Sequence, residues 1–135
     1  MLNKLTQSVD FQGQALVLRS ERQRVLASNI ANADTPGYAA RDMNFNQALQ
    51  QATGNLKASA AVAVSAPGHI GGRSTASTVS SNLTYAAPSQ NNLDGNSVDM
   101  DRERASIADN SIKYEATLRF INSNVRTMLE AIKGQ

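Results

Sequence analysis

Between residues 97 and 133 one line of positions recurs every third or fourth residue, and eight of its ten members are apolar. The line is Met100, Arg104, Ile107, Ser111, Tyr114, Leu118, Ile121, Val125, Met128 and Ile132, with Arg104 and Ser111 its two polar members. That period is the seam of a helix packed lengthwise against another helix. Asn96 or Ser97 is placed to cap its start, and Asp99, Asp101 and Glu103 fall in the first turns, where the helix dipole favours carboxylates. Gly134 closes it as the left-handed residue after the last turn. Such a helix spans about 54 Å, longer than a small domain needs. It demands a long helical partner, and so a mostly α fold.

The partner lies at the other end of the chain. Residues 2–31 place Leu2, Leu5, Val9, Gln12, Leu16, Arg19, Gln23, Leu26 and Ile30 on one line, six of the nine apolar. Phe11, Leu18 and Val25 lie off that line and predict a second, wider contact face. Gly13 weakens this helix by about 1 kcal/mol relative to alanine, and its length is roughly 45 Å. Arg19, Arg22 and Arg24 with Glu21 read as a solvated face, a subunit contact being the sharper alternative. The expected architecture is two long terminal helices paired as an antiparallel coiled-coil-like hairpin, joined by a loop-rich insert with room for a few short β-strands.

A cluster of short polar residues stops the first helix. Asn32 and Asp34 compete with the helix by bonding nearby backbone, and Pro36 pushes Thr35 out of the helical region. Thr35-Pro36-Gly37-Tyr38 suits a type II turn, proline setting φ near −65° and glycine taking positive φ. Beyond the turn, Asn44 is placed to cap a short helix with Phe45, Leu49 and Ala52 on one face. Residues 54–97 then carry only three charges, Lys57, Arg73 and Asp94, among many Ser, Gly, Asn, Ala and Thr. Ala60–Ser65 and Leu83–Ala86 fit short strands of a hairpin around Pro67-Gly68 and Gly71-Gly72; a flexible loop fits the composition equally well. The chain therefore divides into a helix at 1–33, a turn and short helix at 34–53, a low-complexity insert at 54–96, extended or partly disordered, and a second helix at 97–135.

Composition excludes several function classes. Aromatic residues are 4% of the chain and tryptophan is absent, so any core comes from aliphatic residues on the two helices. That is thin for a self-sufficient globule of 135 residues. A net charge of +2, with neither end a basic patch, does not point to nucleic acid. The absence of cysteine removes disulfides, thiol nucleophiles and thiolate metal sites. No apolar run is long enough to span a bilayer, and the first ten residues lack the apolar region and cleavage site of a Sec signal peptide. His69, the single histidine, sits among glycines in the insert with no acid beside it. Asp99, Asp101 and Glu103 lack the glycine turn and bidentate glutamate of a calcium loop. No catalytic, cofactor or metal site is expected. Two regular seams with little core between them suit a chain stabilised by neighbouring copies, as in a helical filament or tube.

Ala27-Ser28-Asn29-Ile30-Ala31-Asn32, followed by Thr35-Pro36-Gly37-Tyr38, resembles the N-terminal signature of the bacterial flagellar axial proteins, the rod, hook and hook-associated subunits. The flanks, Arg19–Leu26, Ala40–Met43 and Gly95–Arg104, narrow that resemblance to subunits of the proximal rod. It covers both terminal thirds and leaves the middle unmatched. The resemblance implies a structural subunit of the proximal rod that transmits torque and lines the export channel. It implies a basal-body location in the periplasmic rod, reached through type III export without a cleaved signal peptide. The implied partners are other rod proteins, further copies in the rod, the adapter joining the MS ring to the rod, and the export gate. Ser28, Asn29, Ile30, Asn32, Thr35, Pro36, Gly37 and Tyr38 are then the joint between subunits. The seam residues are Leu5, Val9, Leu16 and Leu26 with Ile107, Tyr114, Leu118, Ile121, Val125, Met128 and Ile132. Phe45 and Leu49 resemble the Phe-x-x-x-hydrophobic motif that docks at the export gate; a one-turn apolar contact is the plainer reading of the same pair. The alternatives are a neighbouring rod or hook-type subunit, or a soluble helical adaptor that never polymerises.

Overall fold

The structure of the chain, a computed structural model, describes residues 2–59, 83–86 and 93–134. In chain order the elements are α1 (Leu2–Ala31), β1 (Arg41–Met43), α2 (Phe45–Ser59), β2 (Leu83–Tyr85) and α3 (Met100–Lys133). The mostly helical class, with two long terminal helices, is as the seams require. α1 and α3 run antiparallel: Asn29 meets Glu103, Gln23 meets Asn110, and Gln12 meets Asn124. Among the described residues no helix is long and apolar enough to cross a membrane.

Several boundaries differ from expectation for identifiable reasons. α3 is capped by Asp99, not by Asn96 or Ser97; its carboxylate accepts from the backbone N–H groups of Asp101 and Arg102. Asn96 and Ser97 are employed elsewhere, as described below. Gly134 does close the helix, at φ 71°, with its N–H donating to the Glu130 carbonyl. Asn44 caps α2 as expected, accepting from Gln47 N–H at 3.2 Å, but α2 extends fifteen residues where a shorter helix was predicted. Leu83–Tyr85 is a strand, yet its partner is Arg41–Met43, in antiparallel register Arg41–Tyr85, Asp42–Thr84 and Met43–Leu83. The predicted strand at 60–65, the turn at 67–72 and His69 lie outside the described residues.

The apolar core is small and sits to one side of the hairpin. Leu18 of α1, Met43 of β1 and Ala48 of α2 are buried together, with Phe45, Leu49, Ala52 and Leu83 packed around them. Leu18 is thus the off-seam position that anchors α2. Arg19 and Arg22, expected on a solvated face, turn toward the same side. The Arg19 guanidinium lies 4.3 Å from the Phe45 ring centroid, and Arg22 pairs with Asp42 at 3.3 Å. Arg24 remains exposed.

The line of contact between α1 and α3 is largely polar. Positions 103, 110, 117 and 124, seven residues apart, are Glu, Asn, Thr and Asn. The first three are buried and the fourth half-buried. The predicted apolar seam lies beside this line, roughly 40 to 100° round the helix. Ile107, Tyr114, Ile121 and Met128 are half-buried along its edge, whereas Leu118, Val125 and Ile132 are exposed. On α1, Leu26 is buried in the contact, and Leu5, Val9, Leu16 and Ile30 are half-buried.

Candidate functional site

The helix stop at 26–38 becomes a joint that ties three segments of chain together. Tyr38 N–H donates to the Thr35 carbonyl at 3.2 Å and Gly37 sits at φ 72°, the pattern of a type II turn with Pro36 at its second position. A side chain at Gly37 would force a residue with Cβ into the left-handed region. Residues 94–97 run beside this turn. Gly37 N–H donates to the Asp94 carbonyl at 2.9 Å, Ser97 N–H to the Tyr38 carbonyl at 3.1 Å, and Ala40 N–H to Ser97 Oγ at 2.8 Å. Gly95, also at positive φ, brings its backbone against Gly37, where an added Cβ would stand 3.6 Å from the Gly37 Cα.

Asn29 is the centre of the joint and is fully buried. Its Nδ2 donates to the Arg41 carbonyl at 2.6 Å and to Glu103 Oε2 at 3.1 Å. Its Oδ1 accepts from Arg41 N–H at 3.1 Å and from the Tyr38 hydroxyl at 3.2 Å. A carboxamide offers two donors and two acceptor positions, and all are used. Neither aspartate nor leucine reproduces that set. One side chain therefore holds α1, the turn, the start of β1 and α3 in fixed relation.

Asn96 performs the matching task from the other segment. It is buried, and its Nδ2 donates to the carbonyls of Asn32, Ala33 and Thr35 at 3.0, 2.7 and 2.8 Å, while its Oδ1 accepts from Val98 N–H. Carbonyls left unpaired where a helix ends need such donors. Asn32 folds back onto the Ser28 carbonyl at 2.8 Å and receives the Thr35 hydroxyl at 3.3 Å. Ser28 Oγ lies 3.4 Å from the Tyr38 hydroxyl oxygen. The motif residues Ser28, Asn29, Asn32, Thr35, Gly37 and Tyr38 are thus brought together; Ile30 and Pro36 act through the helix and the turn. Asn96 was not singled out as a site residue, since nothing local in its sequence shows that it closes α1 across more than sixty positions.

Glu103 lies in the first turn of α3, as expected, and its buried carboxylate also faces Asn29. Burial raises its pKa above the ordinary carboxylate range, opposed by the hydrogen bond from Asn29 and reinforced by nearby Asp42. Arg102 and Arg22 draw it back downward. Among the described residues, no group of His, Asp and Glu is arranged to hold a metal ion.

The remaining seam residues mark one open face. A groove of about 460 Å³ between the helices is lined by Ser20, Gln23 and Ala27 of α1 and by Ser111 and Tyr114 of α3. Leu16 and Ile30 stand seven residues from Gln23; Ile107 and Ile121 stand seven from Tyr114; Leu118 stands seven from Ser111. Helical spacing therefore puts Leu16 and Ile30 of α1 and Ile107, Leu118 and Ile121 of α3 on the side of the hairpin that carries this groove, while Leu26 stays in the contact and Arg19 turns toward α2. Phe45 and Leu49 do not join that face, being partly buried on the α2 side.

The sequence profile of a family described as "Flagella basal body rod protein" matches residues 10–38, which covers most of α1 and the whole turn. Relatives match over nearly the full length. The flagellar basal body rod protein FlgB of Proteus mirabilis is 42% identical over 140 residues, covering 98% of this chain and 98% of the relative. That of Salmonella typhimurium is 42% identical over 141 residues, covering 99% of each. That of Escherichia coli K12 is 41% identical over 137 residues, again covering 99% of each. With the signature residues gathered in the joint and identity at this level along both helices, the chain belongs to the FlgB family of flagellar basal body rod proteins.

Proposed function

We propose that the chain is a structural subunit of the flagellar basal body rod, and specifically of its proximal part, where it transmits torque and helps line the export channel. The observation that carries this reading is the apolar surface left on α3. Leu118, Val125, Leu129 and Ile132 are 37, 40, 51 and 70% exposed. A run of this length on one helix suits burial by neighbouring helices in an assembly. The joint supplies rigidity at the end of the hairpin, so that load passes between helix and insert without bending the connection. No chemistry is required of the chain, and the reading is of a protein that is not an enzyme and takes no cofactor.

Its partners in this reading are other rod subunits, further copies of itself, and the adapter between the MS ring and the rod. It travels to the periplasmic rod by type III export without a cleaved signal peptide. Phe45 and Leu49 are the docking pair for the export gate. Both pack against α1 in the fold, so the unfolded chain is the form that docks. The test is photo-crosslinking in flagellated cells with the reactive group at Leu129. Capture of rod subunits or the ring-to-rod adapter is expected. Capture of soluble cytoplasmic proteins alone, with none of the chain in purified basal bodies, overturns the reading.

A further inference from the structure

The side of the hairpin that carries α2 holds a second cleft, of about 370 Å³, lined by Arg19, Arg22, Met43, Lys113 and the first residues of α2. Its charges are unevenly compensated. Arg22 pairs with Asp42 at 3.3 Å and Lys113 with Asp109 at 2.7 Å. The Arg19 guanidinium has no carboxylate within pairing distance among the described residues, and its Nε is buried without an acceptor. The Phe45 ring beneath it fixes its plane. The first turn of α2 borders the same cleft and contains no acid to offset its dipole. An oriented cation with no ion-pair partner, attracted only from beyond pairing distance by Asp109, which is already bonded to Lys113, thus stands beside the positive end of a fifteen-residue helix.

A carboxylate completes this arrangement, because the guanidinium fork matches it geometrically. The chain carries two exposed carboxylates at the joint, Asp34 and Asp94, neither of them ion-paired among the described residues. The Asp94 carbonyl is bonded to Gly37, so both acids belong to one tip of the hairpin. From Ala31 to Arg19 the helix runs about 18 Å, so the tip does not reach the cleft of its own molecule. A second copy displaced along the helix axis by a similar distance brings it there. We propose that the cleft at Arg19 receives the Asp34 and Asp94 carboxylates of a second copy of this chain. Tip and cleft are different surfaces, so the contact is heterologous and, repeated, generates a helical row of copies. The proposal rests on the reading of the chain as an assembling rod subunit.

The test uses three variants in flagellated cells, with the chain quantified in purified basal bodies. Asn46→Glu puts a competing carboxylate at the exposed lip of the cleft without disturbing Arg19 on Phe45. Asp34→Arg with Asp94→Arg reverses the tip, and the third variant combines all three changes. Each of the first two is expected to lower incorporation about tenfold, and the combination to recover most of it through the reversed pairing. All three positions are exposed, so the folding of the hairpin is preserved. Normal incorporation of the reversed tip, or a combined variant no better than its parents, overturns the cleft assignment while leaving the rod reading intact. Absence of the unmodified chain from basal bodies overturns both.

Discussion

At the scale of single residues, the joint depends on two asparagines whose amides are fully committed. Replacing Asn29 with leucine leaves the Arg41 N–H and carbonyl, the Tyr38 hydroxyl and Glu103 without their shared partner. Because these groups are enclosed, the loss is expected to reach about 3 kcal/mol, read as a fall in the urea midpoint of the purified chain. Glu103 gives the joint a pH dependence. Its pKa is raised by folding, mainly through burial, so the folded state holds the proton more tightly than the unfolded state. Stability contributed by the neutral form is therefore lost as pH rises from the ordinary carboxylate range through the raised value. Glu103→Gln keeps an acceptor for Asn29 and removes the titration. Thermal melts across that range are expected to show a flatter profile for the variant and a higher melting temperature at neutral pH. A variant curve parallel to that of the unmodified chain would show that Glu103 is not the titrating group.

At the scale of elements, the contact between α1 and α3 favours specificity over strength. Asn110 donates to the Arg19 carbonyl at 2.9 Å and to Gln23 at 2.8 Å, while its own Oδ1 has no partner. Asn124 reaches Gln12 at 3.1 Å. Polar residues at such positions set register at a cost in stability. The double variant Asn110→Leu with Asn124→Leu is expected to raise the melting temperature of the purified chain. It is also expected to weaken the register, since the fold no longer penalises a slide of one heptad. Cysteines paired at Gln12 and Thr117, introduced into both the parent and the variant, report that slide by disulfide formation. A variant that forms no more of this crosslink than the parent, with no gain in stability, contradicts this account of the ladder.

At the scale of the whole molecule, the apolar stripe lies where the isolated hairpin has no use for it. Leu118 and Val125 are 37 and 40% exposed, so their replacement by aspartate removes little that the monomer buries. Leu118→Asp with Val125→Asp is expected to change the monomer's melting temperature slightly and to abolish incorporation into basal bodies. Circular dichroism and quantification of the chain in purified basal bodies check the two halves of that expectation. A core role for the stripe would produce the opposite pattern, a large loss of stability in the monomer. The small core around Leu18, Met43 and Ala48 has the complementary role. It holds α2 and the two short strands on the opposite side, leaving the stripe uncovered.

Local pattern alone determined both long helices, the type II turn, the Asn44 cap and the glycine stop at 134, because each rests on propensities acting within a few residues. Ser28, Asn29, Asn32, Thr35, Gly37 and Tyr38 were singled out by the family resemblance, and they lie within one helix turn and one reverse turn of each other. What those side chains bond was not legible. Asn29 finds Glu103 and Asn96 finds the end of α1 across more than sixty residues, and no local rule pairs groups at that separation. The strand at 83–85 was readable, but its partner at 41–43 was not, since strand pairing depends on where α1 and α2 bring the chain. The rotation of α3 was also decided only in three dimensions. Spacing identifies an apolar stripe; whether that stripe or the polar line beside it meets α1 depends on which set of buried groups can be satisfied. Here the amides of Asn29, Gln23 and Gln12 found partners on the polar line, and the apolar stripe was left facing outward.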